Sequence, residues 1–397
     1  MNARILGILL LTGTLAAVVL SPSFRSSAAS DPVQVAPPGS NVTAAKIEVV
    51  FVLDTTGSMG GLIAAAKEKI WSIATTMAQA TPAPEISMGL VAYRDRGDAY
   101  VTKTVDLSAD LDSVYAALMD FGADGGGDGA ESVNEALDDA VTRLSWSSDP
   151  TTYRVLFLVG DAPPHMDYQD DRKYPDVVAA ATARGIVVNT IQCGSLQATV
   201  APFRRIAALG GGRYFQVAQA GGAVEVETPF DARIAELSAA LDATRMYYGG
   251  AEAREAIELK AAATEKLAAS ASPAARARRG IFNATASGAV NFAGDGDLVS
   301  DVASGRVDLA ALPEAELPPA LEGLTDEART ALVQQTAADR DRLQRQIRAL
   351  AERRDAFIRE ELEKRGGAAG SLDVQIYEAV RAQGAAKGLR YESGAKF

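Results

Sequence analysis

Lys46-Ile47-Glu48-Val49-Val50-Phe51-Val52-Leu53-Asp54-Thr55-Thr56-Gly57-Ser58-Met59-Gly60-Gly61 is an apolar, β-branched run that ends in one carboxylate. Two hydroxyl residues follow, Thr56 and Ser58, and a helical pattern begins directly after them. Such a run reads as a buried strand. In a tight turn alternate residues can point the same way, so Asp54, Thr56 and Ser58 can present three hard oxygens at the carboxyl end of a sheet. Magnesium, calcium and manganese favour oxygen ligands of this kind.

Working outward, further apolar runs recur at Ile86–Tyr93, Tyr100–Asp106, Arg154–Val159, Gly185–Gln192 and Gly212–Val217. Helical patterns separate them, at Leu62–Gln79, Ala109–Phe121, Glu131–Leu144, Tyr174–Arg184, Val200–Leu209 and Phe230–Met246. Near-continuous apolar strands alternating with helices are strands covered on both faces. The fold class is therefore α/β, with a doubly wound, mostly parallel sheet flanked by helices. Ligands of such sheets bind beyond the carboxyl ends of the strands. Two strand ends carry a carboxylate there: Leu53 runs into Asp54, and Val159-Gly160 runs into Asp161-Ala162-Pro163-Pro164.

The 397 residues allow two or more modules at roughly 100–200 residues each. A formal net charge of −12 argues against a nucleic-acid partner, which would be met by clustered Lys and Arg. The single cysteine, Cys193, excludes an intrachain disulfide and a thiolate zinc site, and it reads as a small strand residue. At the amino end one positive side chain leads into an apolar run from Ile5 to Leu20, and Ser26-Ser27-Ala28-Ala29-Ser30 offers small residues at cleavage spacing. This is the layout of a secretory signal over residues 1–30. The expected location is periplasmic or secreted, or membrane-anchored if the signal stays uncleaved, with no membrane span once it is removed. Residues 31–45 have linker composition.

After Gly249-Gly250 the character changes. Ala251–Ala269 is an alanine-rich helical stretch, Arg276-Ala277-Arg278-Arg279 reads as a solvated basic patch, and residues 280–325 read as an irregular connector. Thr325–Arg365 is a long charged helical pattern whose stripe is Leu343, Ile347, Leu350, Phe357, Ile358 and Leu362. The stripe is too short for a sustained coiled coil, so a helix packed on a partner surface is expected. A last helix is expected over Asp373–Ala386. The organisation is thus a principal domain over 46–248, a helix and connector over 249–324, and a helical carboxyl-terminal extension over 325–397.

The D-x-T-x-S turn after the first strand resembles that of a von Willebrand factor type A domain with a metal-ion-dependent adhesion site. The resemblance covers about residues 45–248. It implies that Asp54, Thr56 and Ser58 supply the first loop of a metal site and Asp161 the third. The second loop departs from the family pattern. Where a Thr is usual, this chain has Gly125-Gly126-Gly127-Asp128-Gly129, and Asp128 is the candidate ligand. The resemblance implies one magnesium ion, with calcium or manganese possible, and a protein or peptide partner bound through an acidic side chain, with no turnover. An added Asp would tighten cation binding while reducing the positive field left for such a partner. The alternative is an envelope assembly or structural component that binds through its helical extension and keeps a vestigial site.

Other readings of the same residues compete. Asp54 and its hydroxyls could merely cap the next helix, and Asp161 could be only a turn residue. Asp124, Asp128, Gly129 and Glu135 fall at EF-hand loop positions, but Gly126 stands where an acid or amide is expected. Ser58, Asp161 and His165 follow in hydrolase order without the first glycine of the nucleophile elbow. Arg96-Gly97-Asp98 spells a tripeptide that some adhesion receptors recognise, and within its context it reads as a loop between strands. No G-x-G-x-x-G or G-K-[ST] follows the first strand, which excludes the common nucleotide-binding turns.

Overall fold

The computed structural model describes residues 45–397 apart from Asp128, Gly221 and Ala223. The expected signal segment 1–30, the expected linker up to residue 44 and the candidate ligand Asp128 lie outside the described residues.

The strands are β1 Lys46–Asp54, β2 Glu85–Tyr93, β3 Thr102–Ser108, β4 Tyr153–Gly160, β5 Ile186–Cys193 and β6 Gly211–Val217. They form one sheet in the order β3-β2-β1-β4-β5-β6. All neighbours are parallel except β2 and β3. Between them run α1 Gly60–Met77, α2 Leu111–Met119, α3 Val133–Thr142, α4 Tyr174–Ala183 and α5 Gln197–Leu209, followed by α6 Asp231–Asp242. The alternation of side chains along a strand sorts β1 into two cores. Ile47, Val49, Phe51 and Leu53 join Trp71 of α1 and Leu118 of α2 on one face. Val50 and Val52 join Val133 of α3, Val177 of α4 and Phe203 of α5 on the other.

The carboxyl-terminal region is helical: α7 Ala251–Ser270, α8 Pro273–Asn283, α9 Ala289–Ala293, α10 Leu298–Ala303, α11 Asp326–Lys364 and α12 Leu372–Gly384. The expected irregular connector over 280–325 is instead a series of short helices and 3-10 turns. Ser272 caps α8, accepting from the Ala275 amide, and Pro273 occupies the first turn, where no amide donor is needed. Asp297 caps α10 in the same way. Thr325 caps α11, with Asp326 and Glu327 in the first turn and Lys364 in the last, as the helix dipole favours.

These helices pack into the same body as the sheet. Leu372, Ile376, Ala379 and Val380 of α12 are buried in the core that covers β1 and β4. The stripe of α11 is also taken up internally: Leu343 and Ile347 pack with Ile234, Leu237 and Leu241 of α6 and Ala277 of α8.

The basic patch is not solvated. Arg278 and Arg279 of α8 are 4% and 2% exposed. Arg279 grips Asp112 of α2 through two hydrogen bonds of 2.6 Å and reaches Asp242 of α6 at 2.7 Å. Charged residues in a helix look like surface, but here a bidentate guanidinium–carboxylate pair satisfies the charge inside. Burial works against ionised Asp112, yet Arg279 outweighs it and holds the carboxyl well below the usual range. Breaking one partner of such a pair costs about 3–5 kcal/mol. Denaturant unfolding of Asp112→Asn at pH 7 should therefore show a loss of that size.

Ile376→Ala should cost about 2–5 kcal/mol by leaving a cavity beneath the sheet. Ending the chain after residue 248 removes α12 and uncovers that face, so the fragment should lose cooperative unfolding and bind a hydrophobic dye.

Candidate metal centre

The strand order reverses direction between β1 and β4, and their carboxyl ends form the crevice in which such sheets bind ligands. Leu53 lies beside Val159, which places Asp54 and Asp161 on adjacent strand exits. The structure brings Asp54, Thr56, Ser58 and Asp161 to this one edge.

Asp54 is fully buried and Thr56 is 2% exposed. Asp54 Oδ1 accepts from the Thr56 amide at 2.9 Å and from Thr56 Oγ1 at 2.7 Å. Thr56 Oγ1 lies 3.4 Å from Ser58 Oγ, and Ser58 itself is exposed. Thr55 points the other way, donating to the Tyr93 carbonyl and meeting the Tyr100 hydroxyl at 2.7 Å. The turn therefore has the alternation expected of it. Neither the 3-10 turn Gly57–Met59 nor α1 receives a side-chain cap, so Asp54 folds the loop and does not cap the helix.

The second loop lies directly on the first. Gly57 donates to the Gly125 carbonyl at 3.1 Å and Asp124 to the Thr55 carbonyl at 3.1 Å. Gly125 and Gly126 both have positive φ, +76° and +81°, and a side chain on Gly125 would collide with the Asp98 carboxylate. This is the physical demand behind the run of glycines.

Asp98 accepts from the Gly126 amide at 3.0 Å and the Asp95 amide at 3.1 Å. Arg96 stacks on Tyr168 and pairs with Asp170 and Asp171. The Arg96-Gly97-Asp98 tripeptide thus holds loops together. His165 is buried, stacks on Tyr168 and turns its ring nitrogens to Asp167 at 2.8 Å and Asp95 at 3.4 Å. Those partners are not the serine that a hydrolase requires. Asp124 faces Arg94 at 3.6 Å, while Glu135 sits in the first turn of α3 with its carboxyl raised by burial and by the charges of Asp171 and Asp139. The EF-hand pair is thus divided between different surroundings. Cys193 is buried at the end of β5, and burial pushes its thiol up.

Three residues at this edge escape the sequence pattern. Gln219, beyond β6, donates to Asp161 Oδ2 at 2.6 Å. Tyr93, at the end of β2, buries its hydroxyl against Gly160, where any side chain would collide with it. Glu131 is buried with its Oε1 beside Gly126. Glu131 follows the glycine loop, the one position that could have hinted at it, and nothing in spacing marks Gln219.

The electrostatics of Asp54 are unusual. Its Oδ2 is buried without a hydrogen-bond partner, and it forms no ion pair among the described residues. Burial pushes the carboxyl up to about 7; the Thr56 hydrogen bonds and the nearby Asp161 backbone amide oppose this, and the Asp161 charge adds to it. A hard divalent cation would supply what this carboxylate lacks, and two carboxylates and two hydroxyls are a donor set of the kind such ions take. Among the described residues, no three or more His, Cys, Asp or Glu are grouped so as to hold a metal ion, at this edge or elsewhere.

A raised acid pKa sets the sign of a pH effect. Without metal, the protonated form is the better tolerated, so stability is lost as pH rises from about 4 toward 7. In chelator, Asp54→Asn should gain stability over the wild type across that interval and hold the gain above it. A difference that does not change between pH 4 and pH 8 would contradict this.

A family model for the von Willebrand factor A domain matches residues 48–229. Among curated proteins, von Willebrand factor A domain-containing protein 7 of Rattus norvegicus is 38% identical over 114 residues, which are 29% of this chain and 12% of that protein. The matched stretch is thus a small part of that relative's length. Among solved structures, a conserved hypothetical protein BatB from Bacteroides thetaiotaomicron is 17% identical, over 43% of this chain and 90% of that one, at a TM-score of 0.34. The SpRpn10 VWA domain is 14% identical, over 44% and 89%, also at 0.34. Proximal thread matrix protein 1 from the mussel byssus, with a zinc-occupied MIDAS motif, is 16% identical, over 44% and 42%, at 0.34. By the family match and its own sheet order, this chain carries a von Willebrand factor A domain over residues 48–229.

Proposed function

We propose that the chain is an exported, metal-dependent protein-binding module without turnover. Asp54, Thr56, Ser58 and Asp161, with Asp128 joining from the second loop, hold one magnesium or similar ion, and a coordination position is left for an acidic group of a protein or peptide partner. The observation that carries this reading is the buried Asp54 Oδ2, unpaired at the mouth of the β1–β4 crevice beside a second acid. An ion there neutralises charge that the fold otherwise buries at a cost. Thr56 and the Gly125–Gly126 loop would preorganise the donors, and the Gln219 hydrogen bond to Asp161 Oδ2 is the contact an ion at Asp161 would compete with.

The amino-terminal layout supports a periplasmic or secreted location, or a membrane anchor if the signal is retained. No described helix is long and apolar enough to cross a membrane. The acidic balance does not suit nucleic acid. The alternative role, assembly through the carboxyl-terminal helices, has less to work with: Leu343 and Ile347 of α11 are covered by α6 and α8, and Ile358 and Leu362 pack with Val226. A partner would have to use the charged outer face.

Isothermal titration with magnesium, calcium and manganese should show one site in the wild type and none in Asp54→Ala. Equal binding by both proteins, or by neither, overturns the metal assignment.

A further inference from the structure

Beyond β6, Ala218-Gln219-Ala220 turn along the edge that carries the two acids. Two glycines make room for this turn. A side chain on Gly61, in the first turn of α1, would meet the Ala220 Cβ at 3.0 Å, and one on Gly194, after β5, would collide with Gln219 Oε1. Gly194 has a φ of +75°, and its amide donates to the Val217 carbonyl at 2.9 Å. The backbone on both sides of the Gln219 amide is thereby set.

With Oε1 against Gly194, the NH2 end of Gln219 faces Asp161. Nε2 donates to Asp161 Oδ2 at 2.6 Å and lies 3.5 Å from the Ser58 carbonyl. The two acids are thus held in different ways. Asp54 is bonded by Thr56, itself one of the candidate ligands. Among the described residues, the Asp161 carboxylate accepts from Gln219 alone, and this end of Gln219 offers no oxygen to an ion. An N–H turns its positive end toward its acceptor, as a cation would. A donor that reaches both the first and the third loop stands where an ion shared by those loops has to stand.

Building on the metal site proposed above, and resting on it, we propose that Gln219 competes with the ion. Its amide occupies Asp161 Oδ2 in the metal-free chain and must leave when an ion is bound there, so Gln219 lowers the affinity of the site. The hydrogen bond stabilises the metal-free state only, and its loss weighs equally against any ion that enters. For one exposed hydrogen bond to a carboxylate the effect is about five- to tenfold in affinity.

Isothermal titration of the full chain with magnesium, calcium and manganese, each separately, tests this in the wild type, Gln219→Met and Gln216→Ala. Met keeps the length of the side chain and removes the donor. Gln216 is the control: its Nε2 donates to the Gly194 carbonyl at 2.7 Å and to nothing at Asp161. Gln219→Met should bind all three ions about five- to tenfold more tightly, by a common factor, while Gln216→Ala keeps the wild-type affinity. At one fixed magnesium concentration the rise in melting temperature over chelator should be larger in Gln219→Met than in the wild type. Binding by the wild type that Gln219→Met leaves unchanged overturns the competition and leaves the metal site standing. Weaker binding by Gln219→Met also overturns it, and makes Gln219 a support that orients Asp161 for the ion. A gain for one ion alone, or an equal gain in Gln216→Ala, counts against it in the same way. Absence of binding in all three proteins overturns the competition together with the metal site.

Discussion

A parallel strand at the centre of a sheet must be covered on both faces, and everything in this chain answers to that demand on β1. One face is closed by α3, α4 and α5, all upstream of residue 210. The other is closed by α1 and α2 together with α12, more than three hundred residues downstream. That distance makes the carboxyl-terminal region part of the domain's core. Leu372, Ile376 and Val380 occupy ground that solvent would otherwise reach. The same strand exits into the crevice where Asp54 lies, so the packing that protects β1 also keeps the acid out of water.

The site inherits its chemistry from that burial. A carboxylate in water needs no partner, whereas one closed over by two loops needs a proton or a cation. The loops are held by residues with no direct part in coordination. Asp98 fixes the glycine loop, Arg94 donates to the Thr55 carbonyl at 3.1 Å and to Gly122 at 2.8 Å, and Thr55 locks onto β2. Donors held in place in this way would lose little entropy on binding an ion.

Buried arginines join the helical region to the rest. Arg279 links α8 to α2 and α6, Arg340 links α11 to Asp297 and Thr244, and Arg354 links α11 to Asp231. Apolar residues of similar size could supply comparable stability, but a guanidinium bonded to named oxygens admits fewer wrong dockings. Helices that return to the sheet from far along the chain have many alternative packings, and ion pairs of fixed geometry suit that problem.

The strands, the first helices and the acid at each of two strand exits were legible from residues 46–248 alone, because hydrophobic period and turn chemistry are local. Cover on both faces of β1 follows from its unbroken apolar run, and a shared edge for Asp54 and Asp161 follows from parallel strands. What covers the second face was decided only in three dimensions, since nothing in the sequence of α12 states which face it will meet. Arg278 and Arg279 read as surface for the same reason: a charge looks solvated until its partner, here Asp112, Asp242 or Glu68, is brought beside it by the fold. The burial of Asp54 Oδ2 is likewise a property of two loops closing over one strand end, and it leaves that carboxylate in need of a proton or a cation.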